Sequence, residues 1–291
     1  MTEPRTSAGG RLFLVATPIG NLEDVTLRAL RVLSEVSVIA CEDTRQTRKL
    51  LDHHGVARPL VSYHEHNERE RARELVERME AGETVALVSD AGMPLVSDPG
   101  RALVNLCIER GIPVTPIPGP SAFVAALATS GLAAEEFLFV GFLPARTGER
   151  SRKLRELAGE RRTMIFYEAP HRLAATLRDA LAILGDRRAV VARELTKIHE
   201  EFRRGTLSEL AEFYAHSEPR GEITLLVGAP ETSAAALAPE RAAGSLAERV
   251  AELERQGQDR KSALKQAARE FGVPKREAYR RLLAGRSTRP Q

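Results

Sequence analysis

Short apolar segments alternate with helical patterns through most of the chain, and this alternation constrains the fold more than any other feature. The first five predicted strands cover residues 11–17, 36–42, 60–64, 84–90 and 114–117. Helical patterns follow them, for instance at 68–81 and 100–110. The runs LFLVA and VALV are apolar at every position, as strands buried on both faces require. The sequence therefore predicts an α/β domain at 11–132, with a parallel sheet between two layers of helices.

After residue 132 the spacing of the predicted strands becomes irregular. They cover 137–143, 164–167, 189–193, 201–205 and 223–228, and some neighbours have little helix between them. Strands that are joined without a crossover helix pair in antiparallel fashion, so we expect a mixed sheet in a second α/β domain at 133–230. Residues 1–10 are predicted to be a flexible N-terminus, and the Ala-rich residues 231–244 to be a linker.

Residues 245–291 have three short helical patterns and a basic composition. They include 12 Lys and Arg residues against 6 Asp and Glu, whereas the whole chain has a net charge of only +3. Gly272, Val273 and Pro274 join the second and third patterns in a turn typical of a helix-turn-helix. The third pattern carries Lys275, Arg276, Arg280 and Arg281. A nucleic-acid-binding module is favoured over a helical hairpin that docks on protein.

The composition favours a folded, water-soluble protein, because 43% of its 291 residues are hydrophobic. The apolar runs have the length of strands and are too short to span a bilayer. The first ten residues lack the apolar core of a secretion signal. The two cysteines, Cys41 and Cys107, stand in apolar segments, where we expect small buried residues. We therefore predict a cytoplasmic protein that does not contact a membrane.

Three loops rich in Gly and Pro follow predicted strands, at the sheet edge where α/β proteins bind ligands. They read ATPIGN at 16–21, SDAGMPLVSDPG at 89–100 and PIPGPSA at 116–122. None has the glycine spacing of a dinucleotide-binding or P-loop phosphate site. A stiff loop loses little entropy when it binds a ligand. Together the loops predict a small-molecule site, with plain structural turns as the alternative.

Four other strand ends carry polar clusters. Arg45, Arg48 and Lys49 share one helical face, which could bind phosphates or simply face solvent. His64 and His66 have the spacing of some metal hydrolases, but no Cys pair or H-E-x-x-H motif accompanies them. The segments YEAPHR at 167–172 and RELTKIHEE at 193–201 could be surface ion pairs or groups that face the first domain across a cleft.

These motifs, taken in their order along the chain, resemble those of one particular family. The chain contains VATPIGNLEDVT, CEDTR, YHEHNE, SDAGMPLVSDPG, PGPSA, GFLP, YEAPHR and RELTKIHEE. In order and spacing it resembles the bacterial 16S ribosomal RNA cytidine 2′-O-methyltransferases, which belong to the tetrapyrrole-methylase-like superfamily. The resemblance covers residues 11–228, and the tail is similar to the helix-turn-helix extension of that family.

The resemblance implies a two-domain tetrapyrrole methylase fold with S-adenosyl-L-methionine in the cleft between the domains. The implied activity is 2′-O-methylation of a decoding-centre cytidine in 16S ribosomal RNA of the small subunit. A homodimer is implied as well, and no metal is required.

Carried onto this sequence, the resemblance implies three sets of residues. The cofactor would contact Pro18, Ile19, Gly20, Asp90, Gly92, Met93, Pro94, Val96, Ser121, Ala122, Phe166, Tyr167 and Leu195. RNA would contact Arg45, Arg48, Lys49, His66, Asn67, His171, Arg172, Lys275, Arg276, Arg280 and Arg281. The candidates for the catalytic base are Glu194, Lys197, Glu168 and His64.

One position departs from the family pattern. The superfamily often has Gly-Asp-Pro where this chain has Gly92-Met93-Pro94, and the ribosomal RNA family more often has Thr in the middle. Met93 offers no hydroxyl or carboxylate, so its contact with a ligand must use the backbone or the sulfur atom.

Three alternatives remain at the level of the sequence. One is a metal-dependent hydrolase that uses His64 and His66. Another is an RNA-binding or assembly factor with an inactive cofactor cleft. The third is a methylase of a small tetrapyrrole, for which a basic tail would have little use.

Overall fold

The structure is a computed structural model that describes residues 9–230, 246–270, 273, 278 and 279. Its strands are β1 Arg11–Val15, β2 Val38–Cys41, β3 Leu60–Ser62, β4 Thr84–Val88, β5 Val114–Ile117, β6 Phe137–Phe142, β7 Thr163–Glu168, β8 Arg188–Arg193, β9 Glu201–Thr206 and β10 Ile223–Val227. They form two five-stranded sheets. Both sheets lie in one compact unit that ends at Pro230.

The helices of this unit are α1 Leu27–Glu35, α2 Thr44–His53, α3 Glu68–Glu80, α4 Arg101–Glu109, α5 Ala122–Ser130, α6 Thr147–Glu156, α7 Leu173–Leu184 and α8 Leu207–Ala215. Short 3₁₀ turns occur at Leu22–Asp24 and Pro170–Arg172. Within the described residues, no helix is both long enough and apolar enough to cross a lipid bilayer.

The first sheet is entirely parallel and has the strand order β3-β2-β4-β1-β5. Alternate residues of β1 enter different cores, with Leu12 on one face and Val15 on the other. Both faces of the sheet are therefore covered, which confirms the prediction made from its continuous apolar strands.

The second sheet has the order β6-β7-β10-β8-β9 and is mixed, as predicted. Strands β6 and β7 are parallel, whereas β10 runs antiparallel to both β7 and β8. One face of the sheet contributes Phe166, Val191 and Leu225 to a large apolar core. The opposite face contributes Ile165, Val190 and Leu226 to a second core.

Helix α5 connects the two halves of this unit. It follows β5 of the first sheet, yet Ala126 and Leu127 pack against Ile165 and Leu226 of the second sheet. Ile19, from the turn after β1, enters the same core. The two sheets are thus joined by a shared apolar core, and this core lies next to the loops that were predicted to bind a ligand.

Four of the five strands of the first sheet, β1 to β4, end before their predicted limits. Strand β1 ends at Val15 and β4 at Val88, because the next residues bend into loops. Thr17 and Gly92 then pair with each other through two backbone hydrogen bonds of 2.9 and 3.0 Å. This bridge ties the ATPIGN turn to the SDAGMP loop.

The second compact unit begins after Pro230. Its helices are α9 Leu246–Arg255 and α10 Arg260–Glu270. They share an apolar core that includes Val250, Leu253, Ala263 and Ala267. Ala267 and Ala268 are buried, and side chains this small allow the two helices to approach closely. Most of the predicted third helix, with Lys275, Arg276, Arg280 and Arg281, lies outside the described residues.

Candidate active site

A cavity of about 430 Å³ lies at the carboxyl ends of the first sheet, against the second sheet. Its size is within the roughly 300–1,000 Å³ of typical small-molecule sites. The first half of the chain contributes Ile19, Asp90, Ala91, Gly92, Met93, Val96, Ser97, Asp98, Ser121 and Ala122. The second half contributes Phe142, Tyr167, Glu168, Ala169, Pro170, Ala192, Leu195, Gly221, Glu222, Ile223 and Thr224. The three Gly/Pro loops therefore meet at one cavity, as the small-molecule prediction requires.

Most of the predicted cofactor contacts lie in its wall. They are Ile19, Asp90, Gly92, Met93, Val96, Ser121, Ala122, Tyr167 and Leu195. Pro18, Gly20 and Pro94 are neighbours of these residues in the same loops, and Pro18 and Pro94 are buried.

Phe166 is placed differently from the expectation. Its side chain is 1% exposed and packs in the core on the other face of the second sheet. Successive side chains of a strand point to opposite faces, so Tyr167 faces the cavity and Phe166 faces away from it.

Sequence reasoning missed several wall residues, among them Ser97, Asp98, Phe142 and Gly221. Asp98 lies in the loop at 89–100. This loop is rich in turn-forming residues, so the sequence did not distinguish Asp98 as part of the site. Phe142 ends β6 in the GFLP motif, is 57% exposed, and its ring centroid lies 5.6 Å from that of Tyr167. The signal available in the sequence was an aromatic residue near the end of a predicted strand.

Four non-glycine residues of the described chain have a positive φ, and all belong to two segments next to the cavity. Leu95 and Ser97 have φ of 72° and 69°, and Glu194 and Thr196 have φ of 52° and 65°. Such conformations cost free energy and cluster at functional sites, where the surroundings hold them. The backbone around the cavity is thus held in a strained form.

The RELTKIHEE segment contacts the first half of the chain directly. The amide of Asn21 donates a hydrogen bond of 3.0 Å to Oγ1 of Thr196. Lys197 Nζ forms ion pairs of 2.9 Å with Glu194 and 3.1 Å with Glu222. The segment therefore shows features of both interpretations, since it forms ion pairs and also contacts the turn after β1.

Three candidates for the catalytic base are paired with opposite charges. Burial raises the pKa of Glu194, but hydrogen bonds from Lys197 and the Glu222 amide outweigh it, and the net pKa is lowered. Burial lowers the pKa of Lys197, but its two carboxylate partners outweigh it, and the net pKa is raised. Glu168 is 2% exposed and forms a 3.0 Å ion pair with Arg172. Glu194 and Lys197 are held charged by their partners, which makes them poor proton acceptors.

His64, the fourth candidate, follows β3 and is not part of the cavity wall. Its ring centroid lies 5.9 Å from that of His66. Across the described ranges, no group of three His, Cys, Asp or Glu side chains is arranged to hold a metal ion. The two histidines therefore have no third ligand there that would support the hydrolase alternative.

The predicted RNA contacts of the described chain differ in their availability. Arg45, Arg48 and Lys49 are exposed on α2, and Arg45 pairs with Asp43 at 2.8 Å, which helps lower the pKa of Asp43 to about 2. His66 and His171 are exposed.

Asn67 and Arg172 are engaged within the fold instead. Asn67 caps the turn after β3, accepting from the His64 amide at 2.9 Å and donating to Ser62. Arg172 is occupied by Glu168 and by the carbonyl of Leu143 at 2.6 Å.

Residues 11–211 match the family model of the Tetrapyrrole (Corrin/Porphyrin) Methylases. The chain belongs to the tetrapyrrole methylase family. Its fold is that of this family, and it is an S-adenosyl-L-methionine-dependent methyltransferase. The metal-dependent hydrolase reading is thereby wrong.

Curated relatives of this tetrapyrrole methylase extend over nearly all of its length. It is 50% identical over 273 residues to the ribosomal RNA small subunit methyltransferase I of Halalkalibacterium halodurans, covering 93% of each chain. It is 46% identical to the protein of the same name from Pseudomonas aeruginosa, covering 95% of this chain and 98% of the relative. A solved uroporphyrin-III C-methyl transferase from Thermus thermophilus, complexed with S-adenyl homocysteine, is 25% identical with a TM-score of 0.55, over 75% of this chain and 97% of that one.

The residues of the cavity fit the methylase cofactor. Gly92 has a φ of 80° and leaves space at the cavity wall. A Cβ added to it would have its nearest neighbours at 3.5 Å, in Ile19, and at 3.6 Å, in Pro120. Apolar and aromatic side chains such as Ile19, Val96 and Tyr167 suit an adenosine, and the carboxylates of Asp90 and Asp98 suit a cationic ligand. When bound, the cofactor supplies an electrophilic methyl group.

Proposed function

We propose that this methylase modifies the ribose 2′-oxygen of a cytidine in 16S ribosomal RNA, namely cytidine 1402 of the decoding centre. The observation that carries the proposal is its 44–50% identity, over 93–95% of the chain, to relatives named ribosomal RNA small subunit methyltransferase I. The choice of cytidine and of the 2′-oxygen comes from the resemblance of the sequence motifs.

Two features of the described chain support an RNA substrate. Arg45, Arg48 and Lys49 are exposed on α2, which follows β2. Strand β2 lies next to β4 in the sheet. Arginine and lysine contact phosphates and position a nucleic acid without reading its sequence. Phe142, half-exposed in the cavity wall, offers a ring on which an unstacked base can stack.

The protein's own part in the reaction is to position the reactants and to exclude water. The strained segments at Leu95–Ser97 and Glu194–Thr196 fix the cavity walls, and the Thr196 bond to Asn21 ties the second segment to the turn after β1. Positioning of this kind supplies roughly 7–11 kcal/mol of a reaction barrier. A base that takes the hydroxyl proton adds about 10²–10⁴-fold to the rate.

We also infer from the family resemblance that the protein acts in the cytoplasm as a homodimer on the small ribosomal subunit. Light scattering of the purified chain tests the oligomeric state, for which a mass near twice 31.9 kDa is expected. A mass near 31.9 kDa at micromolar concentration would contradict the dimer.

Methyl transfer to small subunits tests the proposed function directly. Unmodified subunits, free 16S ribosomal RNA and a soluble tetrapyrrole are each incubated with the protein and isotope-labelled S-adenosyl-L-methionine. We expect label in the RNA, mapped by nuclease digestion and mass spectrometry to one cytidine ribose. Label on a base, or in the tetrapyrrole alone, would refute the assignment. The ratio of the label incorporated into free RNA to that incorporated into subunits identifies the natural substrate.

A further inference from the structure

Four carboxylate side chains lie in the cavity wall, and they differ in what neutralises them. The four are Asp90, Asp98, Glu168 and Glu222. Glu168 is paired with Arg172 at 3.0 Å, and Glu222 with Lys197 at 3.1 Å. Each of these two carboxylates therefore has an oxygen engaged by a cation, which leaves it less available to contact a substrate hydroxyl.

Asp90 and Asp98 carry no such ion pair in the described part of the chain, but their surroundings differ. Asp90 is exposed and its Oδ1 accepts the amide of Asp43 at 3.1 Å. Asp98 is half-buried, and the groups that act on its charge are Glu42, Ser89 and Asp90. Two of these three are themselves anions, so Asp98 is the least stabilised carboxylate in the wall.

We propose that Asp98 is the general base that accepts the 2′-hydroxyl proton of the ribose, an inference that rests on the proposed function. As the 2′-oxygen forms its bond to the methyl carbon, the methyl–sulfur bond breaks and its electron pair stays on sulfur. The hydroxyl proton passes to a carboxylate oxygen of Asp98. Asp98 then releases this proton to water, which restores the carboxylate.

The protonation behaviour of Asp98 suits this role. Burial, followed by the charge of Glu42, raises its pKa to about 6, and Ser89 offsets the shift only in part. The charged and titratable groups around it are Glu42, Asp90 and Tyr167, from three different strand ends. A base is most effective when its pKa lies near the working pH. Below pH 6 Asp98 is protonated and cannot accept, so the rate should fall as the pH falls through about 6.

Single-turnover methylation of small subunits from pH 5 to 8 tests the inference with the variants Asp98→Asn and Asp98→Glu. We expect Asp98→Asn to slow transfer by about 10²–10⁴-fold and to abolish the acid limb near pH 6. Asp98→Glu should recover part of the rate and keep an acid limb. Glu212→Gln on α8 is the matched control, because that side chain is 82% exposed and is not part of the cavity wall. It should leave the rate and its pH profile unchanged.

A second readout needs no RNA. Carbon-13 NMR of selectively labelled aspartate carboxyls should show one resonance that titrates near pH 6 and is missing in Asp98→Asn. Asp98→Asn removes a repelled charge, so it should fold at least as stably as the unchanged chain.

The outcomes separate the two proposals. If the unchanged chain methylates RNA but Asp98→Asn keeps its rate within about threefold and its acid limb, Asp98 is not the base and the proposed function stands. No carboxyl resonance that titrates near pH 6 would also overturn the role. If the unchanged chain transfers no methyl to RNA, the proposed function fails, and the role of Asp98 fails with it.

Discussion

Replacing Arg172 by methionine is expected to lower the free energy of unfolding by about 3–5 kcal/mol. The guanidinium lies 3.0 Å from the carboxylate of Glu168, whose side chain is 0% exposed. Without Arg172 the partners that this buried charge keeps among the described residues are the Thr176 hydroxyl and the Ala169 amide. Denaturant titration of the two proteins measures the difference.

Two further variants show whether the loss comes from the uncompensated charge. Lys153→Met removes a cation from a surface pair with Glu156, in which the side chains are 42% and 57% exposed, and should cost about 0–1 kcal/mol. Glu168→Gln combined with Arg172→Met should regain much of the stability, because no charge is left buried. If Arg172→Met instead lowered RNA affinity without a change in stability, the RNA-contact role predicted for Arg172 would be favoured.

Replacing Gly20 by alanine is expected to weaken S-adenosyl-L-methionine binding about tenfold or more and to slow methyl transfer about 100-fold. An added Cβ would lie 2.5 Å from Lys197 Cγ, 2.8 Å from Thr196 Oγ1 and 2.9 Å from the Leu195 carbonyl. These atoms must move, and Leu195 is part of the cavity wall. A displacement of about 1 Å near reacting groups can cost 10²-fold in rate, and overpacking costs about 1–3 kcal/mol.

Calorimetric titration with the cofactor measures the first effect, and the methylation assay measures the second. Gly148→Ala is the matched control, since nothing lies within 4 Å of its added Cβ and it is inside α6. Alanine should stabilise that helix slightly and leave binding unchanged. Cofactor affinity that stays within about twofold in Gly20→Ala would show that the 195–197 segment does not shape the site.

Much of the fold could be predicted because its signals are local. Strand β5 was predicted at 114–117 and is observed at Val114–Ile117. The all-parallel first sheet follows from apolar runs that alternate with helices, and the mixed second sheet from strands without helices between them. The ends of β1 and β4 were predicted two residues too late, because Thr17 and Ser89 leave their strands to support the loops.

The cavity could be predicted in outline because parallel strands place their following loops at one edge. Side-chain direction was harder to assign. Phe166 and Tyr167 are adjacent and both aromatic, and only the register of β7 beside β10 decides which of them faces the cavity.

The sequence by itself determined the fold class, the family and the loops that meet around a ligand, since these depend on patterns within short segments. Only the tertiary structure decided the charges of the site. Thr196 meets Asn21 across 175 residues of chain, and Glu42 comes close to the separate loop that carries Asp90 and Asp98. The protonation of a carboxylate depends on its burial and on charges within a few ångströms. Both are set by packing between segments that are distant in sequence, which is why Asp98 could be recognised only in the folded chain.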